Sequence, residues 1–223
     1  MTQHWTTSYR DRFTTADFDF VASVLWPEGP RDPILKLWQD PEGQREMLDL
    51  KEVLLSLIDS PSTLQVSPLF YFYVLVRHAF IHADLTDASL ADYVAGVMAK
   101  RVCLENDLLE DVTRGYTHAA QFLSVISRAR GRMRFHLQVA AGNQFLVLTG
   151  LYPDYLRKRS KQTGAPGLEF YETFTKNAFR GAAECEIASA ASSRHLLSAL
   201  AEAVPTARRS LNRLAEELVF LGE

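Results

Sequence analysis

The chain has 223 residues, 47% of them apolar and 23% charged, with a net charge of −3, which excludes a disordered or fibrous chain and leaves room for a sizeable buried core. Cys103 and Cys185, its two cysteines, are too few and too far apart for a disulfide framework or a C-x-x-C metal or redox motif. The charge is uneven: Met1 to Asp111 carries 9 Lys plus Arg against 18 Asp plus Glu, and the remainder carries 15 against 9, a pattern that fits either two mutually attracting halves or an acidic and a basic face.

The opening residues, MTQHWTTSYRDRF, lack an apolar run after a basic start, so neither a secretory signal nor a membrane anchor is expected there, and a cytoplasmic location follows. Thr15 caps a first helix with Asp17 in its first turn and Phe18, Val21, Ala22 and Leu25 on its apolar side. WPEGPRDP is a loop, after which Ile34, Leu35 and Trp38 form a short helix. Asp40 and Pro41 start one continuous helix, in which Met47, Leu50, Val53, Leu54 and Leu57 recur at helical steps until Asp59, Ser60 and Pro61 close it.

Ser67 to Asp84, SPLFYFYVLVRHAFIHAD, is the stretch around which the rest is expected to pack. Ser67 is an N-cap and Pro68 a first-turn proline, and the helix they begin is apolar nearly all round, the mark of a buried element. It rises roughly 24 Å and contains Arg77, too short and too charged for a membrane span.

Thr86 to Arg101 reads as an amphipathic helix on Leu90, Val94, Val97 and Met98. Tyr116 to Arg130 is helical on Ala119, Phe122, Leu123 and Ile126; Gly131 separates it from a helix over Met133 to Thr149. Tyr155 to Gln162 is a short basic helix, QTGAPG a loop, and Leu168 to Ala183 a helix with Phe170, Phe174 and Phe179 inward. Ile187 to Ala203 follows, and Pro205 begins a last helix whose Leu211, Leu214, Leu218 and Leu221 face the domain's own core or a homodimer seam. No segment alternates as a strand does. The expectation is a single all-α domain, 1–223, an irregular multi-helix bundle of about nine or ten helices around the buried helix near 67–83.

The sharpest chemical pattern is His78-Ala-Phe-Ile-His82. Two imidazoles four apart share a helix face and can hold Zn²⁺ or iron if His118 or His136, on other helices, completes the ligand set; the alternative is four histidines with ordinary hydrogen-bonded or exposed roles. The Glu of H-E-x-x-H is absent, and no Glu-x-x-His pair of a ferritin-like di-iron bundle occurs. Asp107 and Asp111, with Glu110, can bind Mg²⁺ on one helix face or form a solvated acidic helix end; no second aspartate-rich motif accompanies them.

Arg128, Arg130, Arg132 and Arg134 alternate through a junction between helices, and Arg157, Lys158, Arg159 and Lys161 form a second basic group. Together they can contact phosphate, an acidic protein surface or a nucleic-acid backbone, although no aromatics interleave with the arginines as a single-strand platform requires. G-x-S-x-G, Walker and G-x-G-x-x-G motifs are missing. The residues therefore point to a helical protein binding a small molecule or a partner protein, with no reaction assigned, and to a metal-dependent enzyme on His78 and His82 as the alternative.

Overall fold

The computed structural model describes residues 8–59, 65–103, 119–190 and 193–220. Among them there are twelve α-helices and no strand, an all-α architecture as the periodicity predicts. Ser60, Pro61, Asp107, Glu110, Asp111, Tyr116, His118 and Leu221 lie outside the described residues. The described residues divide into two compact units, 8–103 and 119–220.

The N-terminal unit holds a 3-10 turn, Tyr9–Arg12, and six helices: α1 (Thr15–Leu25), α2 (Arg31–Gln39), α3 (Pro41–Leu48), α4 (Lys51–Asp59), α5 (Pro68–Ile81) and α6 (Ala88–Cys103). Helix α5 is its buried centre, with Phe70, Tyr73, Val74, Val76 and Phe80 at or near zero exposure. Ser67 caps it as expected, its hydroxyl accepting from the Phe70 N–H at 3.1 Å.

Three expectations for this unit are corrected. The N-cap of α1 is Thr14, one residue earlier than Thr15, because Asp17 then falls at the third helical position and closes a capping box with it. Helix α2 starts at Arg31, ahead of Pro33, whose missing N–H costs nothing in a first turn. The continuous helix expected from Pro41 to Asp59 is two helices broken at Asp49 and Leu50. Leu50, placed on the apolar stripe, is 43% exposed. The break turns the Asp49 carboxylate and the Leu48 carbonyl toward α5, where Arg77 and His78 take them up.

The second unit comprises α7 (Ala119–Arg128), α8 (Gly131–Leu151), α9 (Pro153–Thr163), α10 (Leu168–Glu184), α11 (Glu186–Ala190) and α12 (Arg194–Phe220). Its centre is α8, which beyond its exposed first turn buries residues on several faces, among them Phe135, Val139, Ala141, Phe145 and Leu146. Such a helix shows no single amphipathic stripe because neighbours cover several faces. Glycine permits two close approaches: a Cβ on Gly142 would stand 2.6 Å from the Phe179 ring, and one on Gly150 2.8 Å from Leu211. In α10, Phe174 and Phe179 are buried as expected, but Phe170 is exposed and Tyr171 takes the inward position.

Pro205 does not begin the last helix; α12 runs through it from Arg194 to Phe220. A proline inside a helix forfeits one backbone hydrogen bond, a cost of about 3 kcal/mol. Val204, Ala207, Leu211 and Leu214 flank it and are buried, and that apolar area carries the helix across the defect. Leu211 and Leu214, the described members of the leucine stripe, are thus buried in their own unit.

Candidate functional site

The histidines occupy different surroundings. His78 is buried on α5, its Nε2 3.0 Å from the Leu48 carbonyl oxygen. A carbonyl only accepts, so Nε2 carries the proton and donates, which leaves the lone pair of the neutral ring on Nδ1. Burial holds the His78 pKa below the ordinary imidazole value, against the opposing pull of that hydrogen bond. His82 is the exposed C-cap of α5. His136 is half-buried on α8, in the second unit. Among the described residues no three His, Cys, Asp or Glu side chains group as a metal site requires.

Beside His78 lies a polar cluster in the core of the N-terminal unit. The buried Arg77 guanidinium is gripped bidentately by Asp49, Nε to Oδ1 at 2.7 Å and Nη2 to Oδ2 at 2.6 Å, while Nη1 donates to the Thr86 carbonyl at 2.7 Å. One helical turn earlier, the phenol of Tyr73 is wholly buried, and burial pushes its pKa up to about 12. Asp92 on α6 fastens the 3-10 turn: it accepts from Ser8 Oγ at 3.1 Å, Tyr9 N at 2.8 Å and Arg10 N at 2.9 Å. Gly96 makes room for Tyr9, since a Cβ there would stand 2.5 Å from its ring. Arg10, Tyr73 and Asp92 had no signature in the sequence, where Arg10 and Asp92 stand 82 residues apart; the one available signal was an aspartate at an otherwise apolar position of α6.

Arg128, Arg130, Arg132 and Arg134 gather at the reversal between α7 and α8. Phe122 of α7 meets Phe145 of α8 edge-on at 5.7 Å, so the two helices form an αα-hairpin, and Gly131 adopts φ +52° at its tip. All four arginines are exposed, and among the described residues none is ion-paired. Arg130 Nη1 donates to the Ser127 and Ala129 carbonyls at 3.2 and 3.1 Å, closing the end of α7.

The start of α8 is electrostatically unusual. It has no acidic residue in its first turn, and its N-cap, Arg130, makes no side-chain cap bond. Helix N-termini carry partial positive charge and favour Asp or Glu. Here Arg132 and Arg134 add cations to that end. Leu123 and Met133, 50% and 49% exposed, place apolar surface among them.

The second basic group is on α9, which begins beyond the far end of α8; there Arg157 is paired with Asp154 at 2.8 Å. Cys185 is a half-buried free thiol donating weakly to Gln138 Oε1 at 3.4 Å, and burial raises its pKa although Arg134 opposes the shift. No described helix is long and apolar enough to cross a membrane.

These features define an all-α chain with a polar-cored N-terminal unit and an arginine-tipped hairpin in the second. No protein-family model matches the chain, and neither the curated proteins nor the solved structures contain a significant match to it.

Proposed function

We propose that this chain is a helical binding protein and that the arginine-tipped hairpin docks an acidic surface of a partner protein. The observation that carries this reading is the set of four exposed arginines, without ion pairs among the described residues, at the start of a helix whose first turn holds no acidic residue. Such an arrangement repels itself within the chain, and an incoming carboxylate-rich surface relieves the repulsion. Met and Arg are among the residues enriched at protein interfaces, and Leu123 and Met133 supply apolar area beside the charges. A nucleic-acid backbone fits less well, because no aromatic ring interleaves with the arginines from 128 to 134 and the chain as a whole is acidic.

The test is fluorescence anisotropy of a Glu- and Asp-rich helical peptide against a single-stranded oligonucleotide of matched charge, each titrated with the full chain at several salt concentrations. The peptide is expected to bind with an affinity that falls as salt rises. Replacing all four arginines by glutamine removes charge pairs worth roughly 0.5 kcal/mol each, a loss of about thirtyfold in affinity. Binding of the oligonucleotide alone would move the site to nucleic acid; peptide binding unchanged in the variant would remove the hairpin from it.

A further inference from the structure

Among the described residues of the N-terminal unit, three polar atoms are buried and make no hydrogen bond: Tyr73 Oη, Arg10 Nε and Arg10 Nη1. They belong to one cluster. The central carbon of the Arg10 guanidinium lies 5.6 Å from the centre of the Tyr73 ring, and Tyr73 is at 0% exposure. Buried N–H and O–H groups lacking an acceptor are costly, and native cores rarely keep them.

The acceptors around the cluster are already committed. Asp92 Oδ2 takes the Ser8 hydroxyl and the Tyr9 N–H, and its Oδ1 takes the Arg10 backbone N–H at 2.9 Å while standing 4.0 Å from Arg10 Nε, beyond hydrogen-bond reach. Both oxygens of Asp49 are held by Arg77. What remains is N–H groups on two guanidinium nitrogens, which only donate, and one phenolic hydroxyl, which can donate or accept. Water can meet these groups singly but brings no charge to offset the guanidinium. A carboxylate brings acceptors only, on two oxygens that can serve Arg10 and Tyr73 together.

Charge points the same way. Arg10 and then Arg77 act on the Tyr73 phenol more strongly than Asp49 or Asp92 do. The Arg10 side chain is 17% exposed while Tyr73 is fully buried, so the side of entry is that of Arg10. From this geometry we infer that Arg10 and Tyr73 form a binding site for a single carboxylate group, carried by a small organic acid. Asp92 positions the site by holding the turn that bears Arg10. A doubly charged phosphate is disfavoured because Asp92 stands beside it.

The experiment is thermal unfolding of the full chain at constant ionic strength, with chloride replaced stepwise by acetate and, separately, by inorganic phosphate. Acetate is expected to raise Tm in proportion to the logarithm of its concentration, as a ligand of the folded state does. Tyr73→Phe deletes one oxygen and leaves the ring, so this variant remains folded and loses the acetate-dependent rise; Arg10→Lys, which keeps the charge without Nε and Nη1, loses it too. An equal rise in wild type and both variants, no rise at all, or a rise with phosphate and none with acetate would each overturn the carboxylate assignment.

Discussion

Asp17 accepts two hydrogen bonds from Ser67, the backbone N–H at 2.6 Å and the hydroxyl at 2.7 Å, across fifty positions of sequence. The same carboxylate accepts the Thr14 N–H at 2.7 Å and thereby closes the capping box of α1. One fully buried aspartate thus secures the starts of both α1 and α5. A cap is worth about 1 kcal/mol, and leaving a buried donor unmet costs about 1–3 kcal/mol more. Asp17→Ala is expected to lower stability by about 2–4 kcal/mol in urea unfolding and Asp17→Asn by less; a loss under about 0.5 kcal/mol for Asp17→Ala would show that the double cap carries no stability.

Arg77 and Asp49 make the second such junction, between α5 and the break after α3. Removing one member of a buried pair strands the other, at about 3–5 kcal/mol, and Asp49, 26% exposed, moves the expectation to the lower end. Arg77→Met should cost about 3 kcal/mol, measurable as a lower urea midpoint with an unchanged slope. Replacing both residues by apolar ones should recover part of that loss. A double variant no more stable than Arg77→Met would contradict the ion-pair account.

Much of the fold is legible in short-range chemistry. Ser67 and Pro68, and Asp40 and Pro41, mark helix starts where the sequence places them, because a cap depends on residues within one turn. The T-x-x-D spacing of Thr14 and Asp17 also carried the correct cap of α1, and Thr15 was a competing reading of the same local signal. The break at Asp49 was not legible, since leucine periodicity runs through it and its cause, Arg77, lies 28 residues away. Pro205 misled for a similar reason: a local helix breaker was outweighed by tertiary burial. The arginine cluster was visible as a run of charge, but only the structure brings its four members to the tip of a hairpin with no ion pair to them among the described residues.

His78 links stability to pH. Its folded pKa lies below the ordinary value near 6.5, so in the window between the two the unfolded chain binds a proton that the folded chain does not. The contribution is present above that window and is lost as pH falls through it. Asp92 has the opposite sign: burial raises its pKa, so its contribution favours the folded chain at the acidic end and is lost as pH rises through its folded value. His78→Gln is therefore expected to flatten the stability profile below about pH 6.5 relative to wild type. Identical slopes in urea unfolding across that range would contradict a buried, neutral His78.

Metal content separates the two readings of the histidine pair. With no three described His, Cys, Asp or Glu side chains grouped as a metal site requires and His82 at an exposed helix end, untagged protein is expected to contain neither zinc nor iron in stoichiometric amount. His78→Ala should then lower stability by about 1–3 kcal/mol with no change in metal content. About one metal per chain by elemental analysis, lost together from folded His78→Ala and His82→Ala, would establish the metalloprotein instead.

The central claim, that an acidic partner surface docks on the hairpin tip, is tested most directly by mapping where an acidic peptide lands. Backbone amide chemical shifts of the full chain, followed during titration with a Glu- and Asp-rich helical peptide at low salt, report this residue by residue. The account predicts perturbations concentrated from Leu123 to Arg134, with the Arg132 and Met133 amides moving early and the whole response suppressed by salt. Shifts concentrated on the α9 basic group, or spread evenly over all basic surfaces with no preference for the hairpin, would contradict it.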